Sequence, residues 1–323
     1  MTNFQIYKKV LSFSFLSLLI DLAMLALVSA STVIGFFIGQ GVNAEGGGFV
    51  GAVFGLIVGA ILFGLAGNFA SFTVNAAQIA MITEGVTTDK MPDHTFKSGF
   101  QAVKARFGAI TALFFIIRAI KSVFRQLGRG INKIGTAVGG DVGNTVTSVI
   151  DGIIQTLIAY LCDCCLGWVL YRKDQNAARS ACEGTVIFFK HGKTLLKNAG
   201  RIFGMGALSF ILVGGALFGG LFLLFNGPFN GAMVSLYTEL GKLVEGELGF
   251  SVIVFVIMFS AIGAIVLWSI LHGVLGHPFI LVGVLRNYIQ SGIGDTIKES
   301  DFADVEAKAP KFGKLVAKAN EGK

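Results

Sequence analysis

The sequence predicts an all-α, polytopic integral membrane helix bundle with about six membrane helices, cytoplasmic N and C termini and a basic amphipathic interfacial helix. Three observations predict it. Four runs, Val10–Ile38, Phe49–Met81, Ile202–Phe225 and Phe250–Leu285, each exceed the ~20 apolar residues that cross a ~30 Å hydrocarbon core. Of 323 residues, 54% are hydrophobic and only 14% charged, whereas soluble domains carry about 25% charged residues. Lysine and arginine gather in alternate loops, the bias that sets membrane orientation.

Taken in order, Lys8 and Lys9 precede the first span (10–38) and place the N-terminus on the cytoplasmic side. They also resemble the charged start of a signal peptide, and Leu27–Ser31 resembles a cleavage site. Apolar sequence nevertheless continues to Ile38, past an h-region of about 7–15 residues, so the segment reads as a retained span. The loop Gln40–Gly48 has Glu45 and no Lys or Arg, which suits the outside. The second span (49–81) returns to a loop bearing Lys90, Lys97, Lys104 and Arg106. Tyr171–Arg201 is the most basic segment, with Arg172, Lys173, Arg179, Lys190, Lys193, Lys197 and Arg201, and reads as cytoplasmic. After the fifth span (202–225), Asn226–Gly249 sets Lys242 against Glu239, Glu245 and Glu247 and reads as external. The sixth span (250–285) brings Arg286 back inside, completing a membrane bundle over residues 1–292.

The middle segment begins and ends inside, so it crosses an even number of times. Its candidate spans are 107–127 and 146–170, joined by a glycine-rich linker around Asp141. Arg118, Lys121, Arg125, Arg129 and Lys133 fall on one arc of a helix, with Ile120, Val123, Phe124, Leu127, Ile131 and Ile134 opposite. That is the pattern of a helix lying among anionic headgroups. Two arrangements stay open. A full crossing gives regular hairpins; a dip along the inner surface obeys the positive-inside rule. Residues 293–323 form a polar, Lys-rich cytoplasmic tail, broken by Pro310 and expected to carry little fixed structure.

Within the spans, polar side chains are the candidates for a substrate path. Asp21 lies a third of the way into the first span, where a carboxylate costs at least ~2.5 kcal/mol and needs a partner, a water-filled cavity or a place near the headgroups. Asn68, Asn75 and Gln78, with Ser71, share one face of the second span; they line a polar path or bond across helices. His272 and His277 belong to the last span, and Pro278 removes a backbone bond and kinks the helix near Val274. Gly47, Gly51, Gly55 and Gly59 recur every fourth residue, and Gly215 and Gly219 repeat the spacing; such faces admit a neighbouring helix closely.

The net charge of +7 would suggest nucleic acid in a soluble protein. Here the cations flank apolar runs, so the expected partners are anionic lipids and no nucleic acid. Cys162, Cys164, Cys165 and Cys182 border the basic stretch without a paired external framework and read as reduced interfacial thiols. Their spacing does not make a zinc site, and neither a metal nor a cofactor is expected. No HExxH, GxSxG, Walker or dinucleotide motif occurs, and the chain is not read as an enzyme.

Several blocks resemble a known family. Arg106–Ile120 looks like a small-residue helix running into a basic extension; Cys162–Trp168 is similar to a cysteine-rich helix end. Asn176-Ala177, Phe188 to Asn198, Arg201, His277-Pro278 and Leu285-Arg286-Asn287 follow in order. Together, over about residues 68–290, they resemble the C-terminal membrane region of choline transporter-like proteins. The resemblance implies six membrane helices and a plasma-membrane transporter of choline or another small organic solute; it assigns no substrate residues. The other reading is a membrane-organising or lipid-interacting protein without transport, and oligomers are compatible with either.

Overall fold

The computed structural model describes residues 1–42, 47–108, 110–111, 114, 117, 121–122, 141–243 and 249–321. Among them, every regular element is helical. Four helices are long and apolar enough to cross a membrane: Asn3–Val42, Gly47–Thr88, Gly204–Asn226 and Val252–Ile293. The chain divides into two compact units, residues 1–199 with 278–323, and residues 200–277.

The first unit begins with α1 (Asn3–Val42). Thr2 and Gln5 cap it reciprocally, each side chain accepting from the other's backbone N–H at 3.3 and 2.8 Å. Beyond the 43–46 connection, α2 (Gly47–Leu62) runs back along α1, passes through a π-helical turn (Phe63–Gly67) and continues as α3 (Asn68–Thr88). The seam between α1 and α2 is built from backbone. A Cβ on Gly51 would strike Gly35 O, and one on Gly55 would strike Ser31 O. A Cβ on Gly59 would lie 2.9 Å from Val28 Cα.

Both long helices are about twice as long as a hydrocarbon core is thick, since 40 residues at 1.5 Å each give about 60 Å. Burial divides them. Large apolar side chains stay exposed from Phe15 to Val42 on α1, Leu19 among them at 62%, and from Phe49 to Leu65 on α2 and the π turn. At 1.5 Å per residue this stretch is about 40 Å long on α1 and about 25 Å on α2 and the π turn, enough together to cover a hydrocarbon core. Below it, Ile6, Val10 and Phe13 of α1 and Val74 through Val86 of α3 are buried in a packed helical body.

That body adds α4 (Thr95–Ala105), α5 (Asp141–Tyr171) and α6 (Ala177–Ser209). Asp141, expected in a linker, opens α5. Only Ile158–Tyr171 of α5 is a short apolar helix by length and composition, and it is largely buried. Phe107 and Phe114 both meet Phe69, at 6.2 and 5.6 Å between ring centroids, and Phe114 meets Phe72 at 5.1 Å. Phe107 and Phe114 of the expected third span thereby pack at the Asn68 end of α3. Arg118, Arg125, Arg129 and Lys133 lie outside the described residues, as does Glu45.

In the second unit, α6 leads through a π turn (Phe210–Gly214) into α7 (Gly215–Asn226). After α8 (Asn230–Leu243), α9 (Val252–Leu271) packs against α7. A third π turn (His272–Gly276) precedes α10 (His277–Ile293). Pro278 explains its place: proline has no N–H for the carbonyl of Val274 and its ring crowds that oxygen, so the helix widens there.

The tail differs from the expected loose segment. It folds into α11 (Glu299–Lys308) and α12 (Pro310–Glu321). The expectation counted lysines and missed the period of the apolar residues: Phe302, Val305, Ala309, Phe312, Leu315 and Ala319 are all buried. Pro310 starts α12, where a missing N–H costs nothing.

Candidate membrane interface

Polar side chains of the first unit gather just past Leu65, where the exposed apolar stretch of the second helix ends, and opposite them Asp21 of α1 is flanked by exposed Leu19 and Leu22. Asp21 is exposed there, and its Oδ1 accepts a hydrogen bond from Ser71 at 3.0 Å. Asn68 donates at 2.8 Å to Gly64 O of its own chain, a carbonyl within the π turn. One turn further in, Asn75 donates to Asp163 Oδ1 of α5 at 2.8 Å, and the charge of Lys121 reaches that carboxylate. Gln78 is buried and donates to Val10 O at 3.3 Å and Ser14 Oγ at 2.9 Å. These residues do share a face of α3, at spacings of seven and three. Ser71 and Gln78 engage α1, Asn75 engages α5 and Asn68 stays within its own helix, so most of the face is a polar seam joining α1, α3 and α5.

The apolar band itself has hydroxyls in α1, and they are satisfied locally. Ser29 donates to Leu25 O at 3.0 Å; Ser31 and Thr32 both donate to Val28 O at 2.8 Å. No described polar side chain of the band bridges α1 and α2.

His272 and His277 belong to the second unit. The His272 ring stacks on Trp268 at 5.0 Å, and Phe210 meets the other part of that indole edge-on at 5.0 Å. Trp268 Nε1 donates to Ser209 Oγ at 3.2 Å. A Cβ on Gly276 would come within 2.6 Å of His272 Nδ1, so this glycine makes room for the ring. His277 is half-buried. Gly215 and Gly219 face open space, with nothing within 4 Å of an added Cβ.

Two clusters carry much of the polar order of the body and were not singled out from the sequence. At the corner between α5 and α6, the Arg106 guanidinium donates to the carbonyls of Val169, Arg172 and Gln175, the last two at 3.2 and 3.4 Å. A cation there complements the helix C-terminus. Beside it, buried Glu183 accepts from Trp168 Nε1 at 3.1 Å and Arg172 at 3.2 Å. The second cluster docks the tail. Lys190 bridges Asp295 and Asp301 at 3.0 and 3.1 Å, His191 Nε2 meets Asp295 at 3.1 Å, and Arg179 pairs with Glu299. Arg179 also lies 4.1 Å over the Phe302 ring. The signal available in sequence was acidic residues spaced to face the basic stripe of α6.

Desolvation opposes the charge on Asp295, yet the hydrogen bonds from Lys190 and His191 outweigh it and hold the carboxyl below its usual range. The Lys298 backbone N–H, followed by Lys190, does the same for Asp301. The hydrogen bond to Asp295 raises Lys190 in turn. All four cysteines are buried and free. Burial pushes the Cys182 thiol up to about 12, which makes it inert at neutral pH. Among the described residues, no group of three or more His, Cys, Asp or Glu side chains is placed to hold a metal.

The chain thus presents the helices of a membrane protein, with its polar contacts collected at the end of an apolar band. No protein-family model, curated protein or solved structure matches it, so the likeness to choline transporter-like proteins rests on the sequence blocks alone.

Proposed function

We propose that this chain is a membrane-organising, lipid-interacting protein of the cytoplasmic membrane, anchored by its apolar hairpins and working through the polar body against anionic headgroups. The observation that carries this reading is the division of α1 and α2–α3. The apolar hairpin has a seam of touching backbones, while Ser71, Asn75 and Gln78 lie beyond the inner end of the exposed stretch on α2 and the π turn, and Asp21 of α1 is bonded to Ser71 at that level. A solute path needs polar groups through the depth of the membrane. Here they collect at one level. Under the positive-inside rule, Lys8, Lys9, Lys90, Lys97 and Lys104 place that level on the cytoplasmic face.

The test is reconstitution into liposomes of mixed phosphatidylcholine and phosphatidylglycerol. Enrichment of labelled phosphatidylglycerol around the protein, lost at high salt, is the expected result. Labelled choline is expected to stay outside. Uptake that Asp21→Asn abolishes would overturn the reading.

One cluster favours the second reading, transport of choline or another small organic cation. Trp268, Phe210 and His272 assemble aromatic rings within the second unit, and aromatic faces attract quaternary ammonium groups. The same uptake assay with Trp268→Leu decides it: flux that disappears in the variant supports transport.

A further inference from the structure

We infer that the docked C-terminal helix α12 is itself a lipid-contact element, presenting Lys311 and Lys314 to anionic phospholipid headgroups. This rests on the reading of the body as a lipid-facing structure and extends it to a segment that is far from the membrane spans in sequence.

Charge segregation within the tail is the first observation. Its carboxylates Asp295, Glu299 and Asp301 turn toward α6 and are engaged by Lys190, His191 and Arg179. Phe312 and Leu315 face inward and are buried, whereas Lys311 and Lys314 on the opposite side are exposed. Neither lysine has an acidic partner within ion-pair distance among the described residues. Asp304 and Glu306 of α11 also remain exposed, and Glu306 lies over Gly313, so the positive face is confined to the outer side of α12.

Position is the second observation. Lys311 Nζ donates to Ser122 Oγ at 2.9 Å. Ser122 belongs to the basic amphipathic stretch whose charge pattern suits the headgroup level. The Lys311–Ser122 bond therefore joins α12 to that stretch. Lysines at that level gain from an anionic surface and are screened by salt.

The full chain allows a site-specific test, because its four native thiols are buried. Ala317, exposed on α12, is replaced (Ala317→Cys) and labelled with an environment-sensitive fluorophore. The labelled protein is reconstituted with either brominated phosphatidylglycerol or brominated phosphatidylcholine as the quencher. Stronger quenching by the anionic lipid is expected, reduced at high salt. About fivefold of that preference should vanish for each neutralised lysine in Lys311→Gln and Lys314→Gln. Lys311→Arg should retain it, which separates loss of charge from loss of fold. Equal quenching by the two lipids, or unchanged preference in the double variant, overturns the inference. If phosphatidylglycerol is still enriched around the protein in that case, the lipid-interacting reading survives and only the role of α12 falls. If enrichment is absent as well, both fall.

Discussion

Two apolar hairpins in this chain carry glycines at the same four-residue spacing and use them differently. Along α2, Gly47, Gly51, Gly55 and Gly59 meet Gly39, Gly35, Ser31 and Val28 of α1, and backbone touches backbone. Along α7, Gly215 and Gly219 meet nothing within 4 Å. The α7–α9 contact is filled by large side chains instead: Phe225 and Phe259 lie 5.4 Å apart, and a Cβ on Gly263 would come within 3.0 Å of Leu221. Small residues on one helix make only a groove. Close approach requires a matching row on the partner, which α1 supplies through Ser31, Gly35 and Gly39 at the same spacing.

The largest expected effect tests that difference directly. Gly51→Leu or Gly55→Leu puts a side chain where the opposing backbone already lies, and neither helix has a flexible group that can yield. Loss of about 3 kcal/mol or more is expected, visible as a lowered thermal midpoint of the detergent-purified protein. Gly219→Leu should stay within about 0.5 kcal/mol. Equal loss at the two positions would mean that α7 has a close partner and would remove the contrast.

The polar seam sharpens the comparison between band and body. Asn75→Ala deprives a carboxylate of its amide donor across two helices, and about 2 kcal/mol of stability is expected to go with it. Asn68→Ala removes only a bond to a carbonyl of its own π turn, and about 0.5 kcal/mol is expected. Unfolding curves of the two variants in the same detergent check this. A larger loss for Asn68→Ala would show that the π turn, rather than the contact with α5, organises this level.

Much of the anchor was legible in the sequence because lipid leaves a coarse mark. Long apolar runs predicted all four long helices, although the two expected spans of the first unit, 10–38 and 49–81, ran on into residues that are buried in the body. The glycine row of α2 was legible too, and reading α1 for the same period would have found its partner. The body was less legible. Lys190, Asp295 and Asp301 are more than a hundred residues apart across the docking contact, and only the fold brings their charges together. The tail was misread for a related reason: six apolar residues at helical spacing suffice to bury one face, and composition alone records only the lysines around them. Asp21 was placed by counting from the start of an expected span, while its depth depends on where exposed apolar side chains begin.

The docked tail gives a smaller effect with a definite sign in pH. Lowered Asp295 and Asp301 contribute to docking above their unfolded values, and that contribution is lost as pH falls through the lowered ones. Raised Lys190 contributes below its ordinary value and is lost only as pH rises through the raised one. Docking therefore holds through the neutral range and weakens in acid, below about pH 4. Hydrogen exchange over residues 299–321, corrected for intrinsic rates, should accelerate there, and Lys190→Ala should loosen the tail by about 1 kcal/mol at neutral pH. Unchanged protection in acid would assign the docking to Phe302 and Phe312 alone.

The smallest expected effect carries the most about depth. If Asp21 sits where the band ends, headgroup water already solvates it, and Asn in its place still accepts from Ser71. Asp21→Asn should then alter stability by less than about 0.5 kcal/mol. Inside the hydrocarbon the same change would remove a charge that costs at least ~2.5 kcal/mol, and the variant would be markedly more stable. Measuring unfolding in bicelles, together with water accessibility of a spin label at Leu22, separates the two cases. A stabilised variant with a dry label would move the membrane boundary inward along α1, place Ser71 and Asn75 within the bilayer, and return the polar seam to the candidates for a solute path.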